Sequence, residues 1–233
     1  MRAKIKNKQE VAKGTLLVEF LLLEPVSYQA GQSFRLTLLN PPYRDEAGSS
    51  RFFSIANLPQ KDLVTTVTRI RESAFKRSLW ELPLRSDVEV GSIGGDFLLP
   101  EKGAKPLVFI AGGIGITPFL SMLRYLEQQN FPYPVSLFYS NPDRQSAAFR
   151  EDLPGLARKS RNFRAVMTMT RDPDWPGEKG RLDAKFLQKY LDRPAEALYY
   201  LAGPPGFVND IYGALVSLGV RALNIKTEEF SGY

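Results

Sequence analysis

The chain has no cysteine and no histidine. Those two absences exclude disulfides, iron–sulfur ligation, thiol nucleophiles, histidine acid–base chemistry and ordinary zinc sites, so no metal is expected. Any redox chemistry must then ride on an organic cofactor. Long apolar runs are missing too. Leu16 to Leu23 is short and interrupted by Glu19, whereas a membrane span needs about eighteen apolar residues in a row. Behind the basic start Met1-Arg2-Ala3-Lys4-Ile5-Lys6 there is no apolar signal region, which leads to the expectation of a cytoplasmic protein. No basic stripe with interleaved aromatics marks a nucleic-acid surface, and no repeat or low-complexity segment is visible.

What is present is enough to build cores: 233 residues, 43% of them hydrophobic, room for one large domain or two of about a hundred residues. The net charge of +6 suits an acidic partner or a phosphate-bearing ligand, although scattered surface lysines give the same number. The first half reads as short strands over Leu16–Leu23, Ser33–Leu39, Arg51–Ala56, Leu63–Arg71 and Asp87–Val90, with one short helix at Phe75–Leu82. Many short strands without alternating helices predict a small antiparallel β-barrel or sandwich. After Pro106 the pattern becomes strand–helix alternation. Strands at Leu107–Ala111, Val135–Ser140, Arg164–Thr170, Leu198–Ala202 and Asn224–Phe230 alternate with helices at Pro118–Gln129, Ser146–Leu153, Asp183–Leu191 and Phe207–Leu218. That order predicts a doubly wound, five-stranded parallel sheet with ligands at the strand carboxyl ends. The expected fold is therefore two-domain, β then α/β, with domains at 1–102 and 103–233.

Four motifs carry chemistry. In Leu107-Val108-Phe109-Ile110-Ala111-Gly112-Gly113-Ile114-Gly115-Ile116-Thr117-Pro118 a buried strand meets a glycine turn and a helix, with Thr117 expected as N-cap and Pro118 as first helical residue. A helix start of this kind offers free amides to a pyrophosphate, and a purely structural turn has the same sequence. Ala202-Gly203-Pro204-Pro205-Gly206 repeats the theme and places a second tight turn at the same sheet edge. Arg51-Phe52-Phe53-Ser54 joins a phosphate-clamping guanidinium to rings that can stack on a flat heterocycle; a surface arginine beside two core phenylalanines reads identically. Lys76-Arg77-Ser78 opens the short helix with two cations and a hydroxyl, an anion site or a solvated helix start.

Taken in order, and with the ending Glu228-Glu229-Phe230-Ser231-Gly232-Tyr233, these motifs resemble the ferredoxin–NADP reductase superfamily over nearly the whole chain. The resemblance implies a flavin-binding barrel at 1–102 and a nicotinamide-nucleotide domain at 103–233. It implies FAD rather than FMN, with NAD(P)H as co-substrate. Arg51 would bind the flavin phosphate, Phe53 would stack on the isoalloxazine beside Phe52, and Ser54 would bond near the flavin N5. Thr68, Arg69, Ile70 and Arg71 would line the flavin, while Lys76, Arg77 and Ser78 would hold its pyrophosphate. Gly113, Gly115 and Thr117 would face the NAD(P)H pyrophosphate and nicotinamide, with Gly203, Pro204 and Pro205 on its other side. Phe230 or Tyr233 would cover the second flavin face, and Glu228 would position the nicotinamide or relay a proton, so that Ser54, Thr117 and Glu228 are the candidate catalytic residues. Ser140, Asn141, Asp143 and Arg144 should lie near the adenosine ribose, where Asp143 favours NADH and Arg144 a 2′-phosphate.

The chain departs from the family pattern in having Phe53 for a stacking tyrosine, Ala202 for a cysteine near the nicotinamide, and no cysteines for a fused iron–sulfur domain. The implied activity passes a hydride from NAD(P)H to the flavin and then single electrons to an acidic ferredoxin, a flavodoxin or an oxygenase component. A non-catalytic flavin- or nucleotide-binding subunit of a larger redox complex is the alternative.

Overall fold

The computed structural model describes residues 1–100 and 105–230. The domain boundary expected at 102/103 and the aromatic Tyr233 lie outside the described residues. The chain divides into two units, Met1–Leu99 with Thr117–Tyr125, and Pro100–Ile116 with Leu126–Tyr233.

In the first unit, β1 (Arg2–Ala12), β2 (Thr15–Leu22), β3 (Ser33–Leu38), β4 (Ser50–Ser54), β5 (Leu63–Arg69) and β6 (Asp87–Gly94) form one antiparallel sheet in the order β4-β3-β6-β1-β2-β5. Its two ends meet. Ala56 N donates to Thr65 O at 2.8 Å and Thr66 Oγ1 to Ser54 O at 2.9 Å, so the sheet closes into the expected barrel. The pleat alternation of β2 sends Leu16, Val18, Phe20 and Leu22 inward to meet Phe34, Leu36, Val88 and Val90. The sequence pattern missed β1 because only Ala3 and Ile5 are buried there, and register shifts after Ile5 and Glu10 break the rest of the strand. Helix α1 (Ala74–Glu81) matches expectation. Ser73 caps it, accepting from Lys76 N, and Lys8 Nζ donates to the carbonyls of Trp80 and Leu82 at its far end.

Helix α2 (Ile116–Gln128) supplies residues 117–125 to this unit. Thr117, Ser121 and Arg124, on one helical face, donate to Val67 O at 3.4 Å, Asn57 O at 2.7 Å and Ala56 O at 3.1 Å. Asn57 in turn donates to Tyr28 Oη at 2.7 Å and accepts from Thr65 N at 2.7 Å, all in the interior.

In the second unit, β7 (Leu107–Gly112), β8 (Val135–Asn141), β9 (Phe163–Met169), β11 (Leu198–Gly203) and β12 (Ile225–Glu229) are parallel. A two-residue strand, β10 (Glu178–Lys179), extends the five expected strands to six in the order β10-β9-β8-β7-β11-β12. The order reverses between β7 and β11, which is the switch point where such sheets bind ligands. Helices α3 (Asp152–Lys159), α4 (Ala184–Gln188) and α5 (Pro205–Ser217) complete the alternation.

Three helix expectations need correction. The helix set at Ser146–Leu153 begins instead at Asp152, because Phe149 turns the chain at φ 58°. Pro154, the residue just past the expected helix end at Leu153, sits in the first turn of α3, where no intrahelical amide is needed. Thr117 is not the N-cap of α2: Gly113–Gly115 form a 3₁₀ turn, Gly115 takes the cap, and Thr117 and Pro118 lie inside the helix. Among the described residues no helix is long and apolar enough to cross a membrane.

A Cβ on Gly115 would stand 2.0 Å from Ala202 O, whereas one on Gly206 meets nothing within 4 Å. Gly115→Ala should therefore lower unfolding stability by about 2–3 kcal/mol or more in urea titrations. Gly206→Ala should leave the midpoint unchanged or raise it.

Candidate functional site

At the carboxyl ends of β7 and β11 the two glycine turns lie against each other. Gly115 packs on the carbonyl of Ala202, and Gly112 is so close to Phe207 that a Cβ would be 2.7 Å from its ring. A Cβ on Gly203 would come within 3.3 Å of Gly112 and 2.9 Å of Phe207. Gly113 takes the left-handed region, at φ 54°, and Gly203 also has a positive φ, at 159°. The paired placement read from the sequence thus holds, and Pro204 and Pro205 open α5 directly behind the second turn. Glu228 pairs across from Ala202 in β12 with one carboxylate oxygen shielded from solvent, and Phe230 N donates to Gly203 O at 3.0 Å.

Further along the same edge, Gly112 is in register with Ser140 and Ser140 with Thr168. Asn141, the last residue of β8, is 2% exposed, and neither end of its side-chain amide has a hydrogen-bond partner. Buried amides are paired as a rule, so this one suits a polar ligand at the strand end. Asp143 accepts from Ser146 N at 2.8 Å. The guanidinium of Arg144 is held edge-on by Asp172, Nε to Oδ2 at 2.6 Å and Nη2 to Oδ1 at 2.7 Å. Arg144 holds the Asp172 carboxyl down to about 2. The balance between Asp143 and Arg144 drawn from the sequence omitted Asp172. It lies on another loop, and only the adjacency of β8 and β9 brings it near.

In the first unit, the start of α1 gathers positive charge. Lys76 is buried, and burial together with the charges of Arg71 and Arg51 brings its ammonium down to about 8. The start of the helix borders a cavity of about 1050 Å³, whose walls carry Arg71 and Arg77 but also Glu10, Asp45 and Glu72; Lys76 is not part of that lining. Arg77 lies 3.8 Å over the Tyr43 ring and pairs with Glu81 at 3.0 Å, which fixes it as a wall. Ser78 is fully buried, and its hydroxyl accepts from Tyr43 N and donates to Tyr43 O. That commits the hydroxyl to the loop rather than to an anion.

The Arg51-Phe52-Phe53-Ser54 segment is placed otherwise than its stacking role assumed. Phe53 is 4% exposed and packs between Phe34 and Phe75, whereas Phe52 is 63% exposed. Phe53 stands opposite Phe34 across β3 and β4, so the pleat turns both rings into the barrel. Arg51 lies 5.2 Å over the Phe75 ring and donates to the carbonyls of Ala47, Gly48 and Ser50. Ser54 and Thr68 are buried, Arg69 ends β5, and Ile70 donates its N–H to Gly14 O at 2.8 Å.

Residues 109–212 match the family described as oxidoreductase NAD-binding domain. The chain as a whole has the ferredoxin–NADP reductase fold, as the motif order implied. A flavin- and NAD-binding domain of a nitric oxide dioxygenase from Vibrio cholerae superposes with a TM-score of 0.87 at 19% identity, covering 98% of each chain. A ferredoxin NADP⁺ reductase from Neisseria gonorrhoeae, solved with FAD and NADP, gives 0.82 at 22% identity, again over 98% of each. In sequence, the flavohemoprotein of Deinococcus radiodurans is 30% identical across 95% of this chain and 57% of its own length. The chain spans about half the length of the flavohemoproteins it matches. Reductases of oxygenase systems are also among the structural relatives.

In the second unit, the Asn141 amide, without a partner among the described residues, and the apposed glycine turns fit a nucleotide. In the barrel, the charge around Lys76 and the adjoining cavity fit a phosphate-bearing group of dinucleotide size. The amine of Lys76 titrates below its ordinary value of 10.5, at about 8. Between those values the unfolded chain binds the extra proton, so stability should rise as pH increases from about 8 to 10.5. Lys76→Met should flatten that rise in pH-dependent denaturation and hold the fold at neutral pH at least as well as lysine does.

Proposed function

We propose that the protein is an NAD(P)H-dependent flavoprotein reductase that carries FAD and delivers electrons one at a time to an acidic acceptor. The observation that carries the reading is the buried Lys76 amine beside Arg51 and Arg71, a grouping that opposes its own protonation until an anion sits against it. In this reading Lys76 binds the flavin pyrophosphate, Arg71 and Arg77 flank it, and the cavity takes the nucleotide portion. Ser54, with Thr68, Arg69 and Ile70, lies along the flavin, and Phe52 offers the exposed ring. The turns at Gly113–Gly115 and Gly203–Pro205 hold the nicotinamide nucleotide, Ser140 and Asn141 its ribose end, and Thr117 and Glu228 orient the nicotinamide; Phe230 is the described aromatic nearest the terminus. When bound, the two cofactors supply the chemistry, a hydride leaving NAD(P)H for the flavin and electrons then leaving singly. The protein needs no strong acid or base of its own, which suits a histidine-free chain.

The acceptor class follows from charge: a basic chain steers an acidic ferredoxin, a flavodoxin or an oxygenase component toward itself. The named functions of the relatives support the same class.

The purified protein should bleach a bound flavin anaerobically on addition of NADH or NADPH and then reduce ferricyanide. The extracted cofactor should have the mass of FAD. Reduction of an acidic ferredoxin should slow as salt is raised. A protein that neither carries flavin nor takes it up from FAD or FMN sinks the reading, and one that is bleached yet passes no electrons onward is the non-catalytic subunit.

A further inference from the structure

The Arg144–Asp172 pair is built more firmly than a surface ion pair. Both carboxylate oxygens are filled by one residue: Arg144 Nε and Nη2 bind them at 2.6 and 2.7 Å, and Arg144 N adds a third bond to Oδ2 at 3.2 Å. The backbone beneath is laced as well. Thr170 N donates to Asn141 O at 2.9 Å and Arg171 N to Pro142 O at 2.7 Å, so the segments after β8 and β9 run on as a ladder past the strand ends. The Asp172 side chain is 10% exposed and that of Arg144 37%. Asp143, the neighbouring acid, is turned away into the Ser146 amide, and Asp174 adds negative charge toward Arg144. The loop lies on the strand next to the glycine turn, 25 or more positions past it, where doubly wound sheets meet the adenosine ribose.

We infer that Asp172 selects the coenzyme. By closing on Arg144 it neutralises a cation positioned for a 2′-phosphate, so the protein takes NADH and refuses NADPH. The inference rests on the reductase reading and adds to it which nicotinamide nucleotide is the substrate. A dianionic phosphate placed here meets a neutral pair with Asp174 behind it, whereas the uncharged ribose hydroxyls of NADH need no cation.

The test uses the whole protein reconstituted with FAD, ferricyanide as acceptor, and calorimetric binding of 2′,5′-ADP and of 5′-AMP as a readout independent of turnover. In the wild type, kcat/KM should favour NADH, and 5′-AMP should bind more tightly than 2′,5′-ADP. Asp172→Asn should raise kcat/KM for NADPH about tenfold, through KM rather than kcat, and tighten 2′,5′-ADP by a similar factor, the size of one charge-assisted contact regained. Asp172→Asn combined with Arg144→Ala should lose that gain. Asp172→Ser, which also removes the carboxylate, repeats the measurement should the amide variant not fold. A wild type that prefers NADPH overturns the inference, as does failure of both Asp172 variants to shift the preference. A wild type that binds neither nucleotide overturns the reductase reading itself.

Discussion

The second unit depends on two stretches of backbone that touch where any side chain would force them apart. Gly115 rests on the carbonyl of Ala202, and Gly112 faces Gly203 with the Phe207 ring closed over both. Because β7 and β11 are hydrogen-bonded neighbours on either side of the reversal in strand order, this contact brings the starts of α2 and α5 together at one place on the sheet. The glycines thus do their first service inside the protein. They let two helix starts share one edge of the sheet, which is where the proposed nucleotide would lie.

The first unit reaches a comparable end with polar groups. Asn57 uses both ends of its amide on Tyr28 and Thr65, and its own carbonyl receives Ser121. These bonds tie β5, the Asn57 loop and one face of α2 into a single buried network. Around Lys76, burial and the like charges of Arg71 and Arg51 work against folding. A grouping of that kind is kept where a place is shaped for something other than stability.

Much of this was legible in the residues because period and punctuation agree. The unbroken apolar run before Gly112 could only be a strand covered on both faces, and the alternation in β2 could only be a half-buried one. What escaped had no local signal. β1 is polar along half its length and bulged, so neither period survives in it. The start of α3 was misplaced because a proline reads as a stop, although in a first turn it costs nothing. Asp172 lies 28 positions from Arg144 and meets it only through strand adjacency. The Phe52–Phe53 pair has a single ambiguity, which ring faces inward, and it is settled by the partner strand: Phe34 opposite Phe53 commits that ring to the core, against the stacking role the family motif implied.

The position of β1 in its sheet has a kinetic consequence. The strand made first lies between β2, which follows at once, and β6, whose pairing partner for Arg2 is Glu89. The hairpin of β1 and β2 can form locally, but the ring of strands cannot shut until the chain has been made through β6. Closing it carries the entropy of a long loop. Refolding of this half should therefore be slow, on the millisecond-to-second scale of topologies dominated by distant pairings. During synthesis the outward edge of β1 waits unpaired, and the charged residues Arg2, Lys4 and Lys6 along it are the kind that discourage another chain from pairing there meanwhile.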